Sequence, residues 1–274
     1  MSEFRGKKVA ITGGSSGIGL ATAVKLARQG ASVAILARNP GRLEEGRSAI
    51  EAAGAAKAIA VSVDVTDPAA VDAAMAKVIE ELGGLDLLIC NSGYARCETV
   101  ASQPLDQFRA LMDTNYFGHL HVVKAVLPHF KSQRSGAISL VTSMLGFMSI
   151  YGYGAYSASK YAIVGMGEAL RQELKPFGVD VGIFYPPTTD TPGLAAENES
   201  KPAVTWAIEG TSTQFTSEQV ADALLAGIRK RRFVNMVGFD SWFIYYATRW
   251  APWLVHRITD GEMNKQIAKD GLPE

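Results

Sequence analysis

Up to residue 185 short apolar runs alternate with longer segments of helical periodicity, and that alternation limits the fold more than any other feature. Val9–Ile11, Val33–Leu36, Ile59–Val63, Leu85–Ile89, Ala137–Val141 and Val179–Phe184 read as strands. They are apolar at most successive positions, which suits strands covered on both faces. Between them Leu20, Ala23, Val24 and Ala27, and later Val71, Met75 and Val78, recur at helical spacing. Strand–helix–strand alternation with right-handed crossovers closes into a parallel sheet with a helical layer on each face. The expected class is α/β, a doubly wound parallel sheet. One domain is expected over residues 1–235, including a loop at 186–215, followed by an aromatic-rich extension over 236–274. Hydrophobic residues make up 47% of the 274, enough for a core of that size.

The first strand runs directly into Thr12-Gly13-Gly14-Ser15-Ser16-Gly17-Ile18-Gly19, which opens the first helix. A pyrophosphate sits against a helix N-terminus, where free N–H groups and the dipole favour anions and side chains would block its approach. The position between a first strand and a first helix makes Gly13, Ser15, Ser16, Gly17, Ile18 and Gly19 a dinucleotide cradle, so the sheet is of Rossmann type. A carboxylate ending the second strand would bind the 2′-hydroxyl of NAD. Here that stretch is Ala37-Arg38-Asn39, with no acid. A guanidinium at Arg38, with Arg42 as a second cation, suits a 2′-phosphate, so NADPH is the expected cofactor.

Charge and cysteine content exclude other classes. Lys+Arg and Asp+Glu both total 27, so no net basic character points to nucleic acid. The two cysteines, Cys90 and Cys97, make no disulfide scaffold. The histidines show no metal-ligand spacing, and no metal is expected. The polar stretch Met1–Lys8 lacks the apolar run of about 7–15 residues of a signal peptide. A cytoplasmic location is expected.

Residues 151–160 read Tyr-Gly-Tyr-Gly-Ala-Tyr-Ser-Ala-Ser-Lys. Of the three tyrosines only Tyr156 has a lysine four positions on, and that spacing puts Tyr156 and Lys160 on one helix face. A nearby ammonium stabilises a phenolate, so Lys160 is expected to lower the Tyr156 pKa toward the working range of an acid–base catalyst. Tyr151 and Tyr153 read as pocket walls. Ser143 falls at the end of the fifth strand, where ligands bind in such sheets, and could hold a carbonyl in line for protonation.

Thr-Gly-x-x-x-Gly-x-Gly, Asn91-Ser92-Gly93, Asn115, Ser143 and Tyr156-x-x-x-Lys160, in that order, resemble the short-chain dehydrogenase/reductase family over roughly residues 5–195. The resemblance implies that Tyr156 donates a proton and that Ser143 positions the carbonyl. It implies that Lys160 holds the nicotinamide ribose and that Asn115 supports a proton-relay water. Asp64 and Val65 would border the adenine, and Asn91 and Gly93 the adenosine ribose. A dimer or tetramer through the helices around residues 100–130 and 156–175 is implied as well.

After the sixth strand comes Tyr185-Pro186-Pro187-Thr188-Thr189-Asp190-Thr191-Pro192-Gly193, then Glu197-Asn198 and Lys201-Pro202. This departs from the general family pattern, in which a Pro-Gly precedes a threonine near the nicotinamide amide. It is similar to the corresponding segment of the 3-ketodihydrosphingosine reductase branch. Pro186, Thr188 and Thr189 would then border the nicotinamide, and the substrate would be a sphingoid ketone. A 3-ketoacyl thioester or a steroid remains an alternative substrate, and an NADP-binding sensor without turnover an alternative class. Arg229-Lys230-Arg231-Arg232 precedes Phe233, Phe239, Trp242, Phe243, Tyr245, Tyr246, Trp250 and Trp253. Basic residues followed by aromatics suit a membrane surface; a substrate lid or an oligomer contact would use the same residues.

Overall fold

The computed structural model describes residues 4–199, 201–210 and 212–271. In chain order, β1 (Lys8–Thr12), α1 (Gly17–Arg28), β2 (Ser32–Ala37), α2 (Pro40–Ala52), β3 (Lys57–Ser62), α3 (Pro68–Leu82) and β4 (Leu87–Cys90) form the first half. Then follow α4 (Leu105–Met112), α5 (Gly118–Gln133), β5 (Gly136–Val141), α6 (Gly154–Leu174) and β6 (Val179–Tyr185). The remainder comprises β7 (Thr189–Asp190), α7 (Pro192–Asn198), α8 (Ala203–Glu209), β8 (Phe215–Thr216), α9 (Ser217–Arg229), β9 (Val234–Met236), α10 (Gly238–Trp250) and α11 (Pro252–Asp270).

A seven-stranded sheet, wholly parallel, runs β3-β2-β1-β4-β5-β6-β9. The expected doubly wound fold is what forms. Side-chain alternation sorts neighbouring residues to opposite faces, as strand geometry requires. Val9 and Ile11 join Leu26 of α1, Ile50 of α2 and Leu224 of α9 in one core layer. Ala10 between them joins the other layer, with Val78 of α3, Val126 of α5 and Ile163 of α6. Burial of each such Val, Leu or Ile contributes about 1.5–3 kcal/mol.

All six expected strands form, four of them a residue longer at one or both ends, while β3 and β4 are shifted along the chain. β3 starts at Lys57 and ends at Ser62, while Leu85 and Asp86 precede β4. Asp86 instead caps the start of β1, its carboxylate accepting from Lys8 N at 2.9 Å. β9 and the two-residue pair β7–β8 were not foreseen. Local signals set the helix ends. Asn39 caps α2 by accepting from Arg42 N, and Asp67 caps α3 by accepting from Ala69 N and Ala70 N before Pro68.

The strand order reverses between β1 and β4, because the chain leaves β1 outward to β3 and returns across it to β4. In such sheets ligands bind in the crevice at this reversal, beyond the C-terminal strand ends. Thr12 Oγ1 sits there and accepts from both Asn91 N (3.0 Å) and Ser92 N (3.1 Å), locking the two strand ends together. At the far edge Tyr185, Phe147 and Tyr245 stack edge to face at 5.2–5.4 Å, which fastens α10 to the sheet. Among the described residues no helix is long and apolar enough to cross a membrane.

Candidate active site

A cavity of about 720 Å³ opens over the C-terminal strand ends. It runs from the start of α1, past β5 and α6, to an apolar wall from α10 and α11.

At one end, Gly13 and Gly17 take positive φ values of 65° and 52°, conformations that favour glycine. A methyl on Gly19 would stand 2.2 Å from Gly13 O, so the third glycine is needed for helix and turn to meet. Gly13, Ser15, Ser16, Gly17 and Ile18 line the cavity, whereas Gly19 is buried behind them. The first turn of α1 holds no acid, and Ser16 makes no side-chain cap. The N–H groups and positive end of the helix dipole are therefore open to an anion. Asn91 lines the cavity but directs its amide inward, donating to Thr12 O and Gly13 O at 3.2 Å each. Its side chain holds the glycine turn in shape.

Gly93 lines the cavity where a side chain has no room: a methyl there would stand 2.9 Å from Asn115 Oδ1 and 3.3 Å from Lys160 Nζ. Asn115 lies in a five-residue π-turn, Asp113–Phe117, that joins α4 to α5. Its Oδ1 accepts from Tyr94 N at 3.0 Å. Its Nδ2 donates to Tyr94 O at 3.0 Å and to Ser159 Oγ at 2.9 Å. Both amide protons are thus committed within the protein.

The cation and acid expected around the adenine end stand outside the cavity lining. Arg38 is exposed just beyond β2, and Arg42 is exposed on α2. Asp64 is exposed, its carboxyl held below the usual range by Thr66 N at 2.9 Å, with the Arg38 guanidinium adding to the effect. Val65 is buried, and its backbone oxygen bonds the His121 ring.

Ser143, Tyr156 and Lys160 meet at the centre. β5 ends at Val141, and Ser143 caps a single 3₁₀ turn, Met144–Gly146, its Oγ accepting from Leu145 N at 3.1 Å. Tyr156 and Lys160 rise from the first turns of α6, with the ammonium 5.6 Å from the phenol ring centre. Lys160 is buried, and Nζ has one long bond, to Val141 O at 3.4 Å. That leaves most of its donor capacity for a ligand. Burial lowers its pKa to about 8.

The phenol corrects a sequence expectation. Lys160 was expected to lower its pKa, but the balance is upward. Burial raises it most, Glu197 and Glu209 add to that, and only the facing Ser143 hydroxyl pulls it down. Partly withdrawn from water and beside two carboxylates, a phenolate is costly. Tyr156 therefore keeps its proton, the state a proton donor requires.

Pro186, Thr188 and Thr189 line the cavity just beyond β6. Thr189 Oγ1 donates back to Pro187 O at 2.7 Å, stiffening that segment. Three contributors escaped sequence reasoning. His119 is buried under the site with Nε2 2.9 Å from Ser92 O. A carbonyl only accepts, so Nε2 carries the proton, and Nδ1 is left without a partner. Burial, with the Lys160 charge, lowers its pKa to about 3, so the ring is neutral. Glu197 and Glu209 also line the cavity; Glu197 stood in the segment after the sixth strand without a site role, four residues before Lys201, and nothing local marked Glu209.

The cradle, the side-chain-free cavity wall at Gly93 and the unspent donors of Lys160 fit a nicotinamide dinucleotide. The comparisons agree with that geometry. Residues 7–202 match the model of the short chain dehydrogenase family. A 3-ketodihydrosphingosine reductase of Mus musculus is 36% identical over 272 residues, 97% of this chain and 81% of that protein. A 3-dehydrosphinganine reductase of Arabidopsis thaliana is 37% identical over 241 residues, 87% of this chain and 73% of that protein. Among solved structures, a short chain dehydrogenase/reductase from Burkholderia phymatum in complex with NAD superposes with a TM-score of 0.81 at 26% identity. That match covers 93% of this chain and 96% of the other.

Proposed function

The chain belongs to the short-chain dehydrogenase family, and on that premise we propose that it reduces 3-ketodihydrosphingosine to dihydrosphingosine with NADPH. The observation that carries this reading is the division of the cavity. Ser143, Tyr156 and Lys160 stand at its centre, and Phe243, Ile244, Ala247, Leu254, Val255 and Ile258 of α10 and α11 line its far wall. A polar ketone head with a long alkyl chain matches both parts, and each methylene withdrawn from water contributes about 0.8 kcal/mol. The names of the mammalian and plant relatives support the same substrate.

When bound, the cofactor supplies a hydride from its nicotinamide to the carbonyl carbon. The chain does the rest. The glycine turn and the N-terminus of α1 hold the pyrophosphate, and Lys160 Nζ donates to the nicotinamide ribose. Arg38, with Arg42 near it, receives the 2′-phosphate, with Asp64 and Val65 bordering the adenine. Pro186, Thr188 and Thr189 border the nicotinamide. Ser143 Oγ donates to the carbonyl oxygen, and the Tyr156 hydroxyl gives that oxygen its proton as negative charge develops. Asn115 holds the Tyr94 backbone and Ser159 in place around this centre.

The test is NADPH consumption with 3-ketodihydrosphingosine in detergent, beside NADH, a 3-ketoacyl thioester and the Tyr156→Phe variant. Turnover that prefers NADPH and the sphingoid ketone, and collapses in the variant, is the expected result. Brisk thioester reduction without sphingoid activity overturns the substrate. NADPH binding without turnover of any ketone overturns the enzyme reading in favour of a sensor.

The exposed aromatics support a peripheral membrane contact. Phe239, Trp250 and Trp253 are 80%, 83% and 65% exposed on α10 and α11, the elements that wall the alkyl end. Exposed Leu105, Phe117 and Tyr161 on α4, the π-turn and α6 support self-association there.

A further inference from the structure

Beside Tyr156 the cavity wall carries a buried cluster that proton transfer does not use. The ring of Tyr153 lies 5.9 Å from that of Tyr156. Its hydroxyl stands between Glu197 Oε1 and Glu209 Oε1, 2.9 Å from the second. Lys201 bridges the same two carboxylates, with Nζ 3.2 Å from Glu197 Oε1 and 2.6 Å from Glu209 Oε2. The Lys201 side chain is wholly buried, and those of Glu197 and Glu209 are 12% and 15% exposed.

The cluster is one cation short. One ammonium faces two carboxylates, and the single phenol proton serves one of them at a time. Glu197 Oε2 has no hydrogen-bond partner among the described residues. Glu197 and Glu209 are only 12% and 15% exposed, and a carboxylate so shielded gains from a positive group that completes it. Both carboxylates line the cavity in which the ketone must lie, so the missing cation can come from the substrate.

We propose that Glu197 and Glu209 recognise a substrate ammonium on the carbon next to the reacting ketone, with Tyr153 and Lys201 fixing the two carboxylates. This rests on the sphingoid reading of the substrate, whose amine is carried on that carbon. The geometry allows such closeness: a group one bond from the carbonyl carbon lies near the residue that protonates the carbonyl oxygen, and the ring of Tyr153, whose hydroxyl holds the carboxylates, is 5.9 Å from that of Tyr156. The pairing has two effects. It excludes ketones lacking a cation, which would leave the carboxylates unmatched. It also cancels the opposition of two carboxylates to negative charge growing on the oxygen, and adds a positive charge next to that oxygen.

The test compares 3-ketodihydrosphingosine with its deamino analogue, in which hydrogen replaces the amine, in the wild type and in Glu197→Gln and Glu209→Gln. NADPH binding by fluorescence reports on the fold of each variant. The wild type is expected to favour the amine by about tenfold or more in kcat/KM. Each variant should lose most of that ratio, chiefly through a higher KM for the amine. Equal kcat/KM for amine and deamino ketone in the wild type overturns the inference and leaves the sphingoid-chain ketone reading standing. An amine preference undiminished in folded variants also overturns it. Reduction of neither ketone, with a 3-ketoacyl thioester reduced instead, overturns the substrate reading itself. If neither variant binds cofactor, the wild-type comparison decides.

Discussion

At the residue scale the site depends on two groups that burial moves in useful directions. Tyr156 is held protonated, the state its proposed role as donor needs throughout the neutral range, and Tyr156→Phe is expected to lower kcat by roughly 10²–10⁴-fold with cofactor affinity kept. Lys160 is buried as an ammonium with one long hydrogen bond, at a cost to stability. Its pKa is about 8 in the folded chain against an ordinary 10.5. Between those values the unfolded chain binds more protons, so this group raises stability as pH climbs through that window. Below pH 8 its full cost is present; above 10.5 it vanishes. Lys160→Met is therefore expected to hold or raise Tm at pH 7 while removing turnover, and its Tm advantage should shrink between pH 8 and 10.5. A Tm loss at pH 7 in calorimetry would contradict this.

At the element scale the decisive junction is the turn between β1 and α1. Gly19 meets Gly13 O and Asn91 Nδ2 so closely that an added methyl would stand 2.2 Å and 2.7 Å from them. Neither the backbone oxygen nor the engaged amide has room to give. Gly19→Ala is expected to cost about 2 kcal/mol or more in urea unfolding and to raise the Kd for NADPH, because the same turn carries both fold and cradle. Asn39→Ala, which removes only the cap of α2, should cost about 1 kcal/mol and leave NADPH affinity nearly unchanged. Similar losses in the two variants would mean that the glycine is merely a helix residue.

At the scale of the whole molecule the cavity is assembled from β5, α6, the segment beyond β6, and α10 with α11. A bulky residue on α10 should therefore shorten the chain the enzyme accepts: Ala247→Trp is expected to raise KM for a long-chain ketone while a short-chain analogue reacts as before. Trp250→Ser combined with Trp253→Ser should weaken cosedimentation with anionic vesicles and spare activity in detergent. Local spacing was enough to read the layered sheet, the glycine turn between β1 and α1, and the shared helix face of Tyr156 and Lys160. Each rests on spacing within one element: Val9 and Ile11 alternate with Ala10, and a phenol and a lysine share a helix face. The remaining features arise from contacts between elements. β9 is three residues long, too short for periodicity to register, and it exists because β6 offers an edge. Asn91 turned inward because Gly13 O and Thr12 O needed donors. The upward balance at Tyr156 comes first from burial and then from Glu197 and Glu209, which bond Tyr153 from 44 and 56 residues further along the chain. Short-range spacing records what one element buries; contacts across such distances depend on how the elements close on one another, and no local pattern carries them.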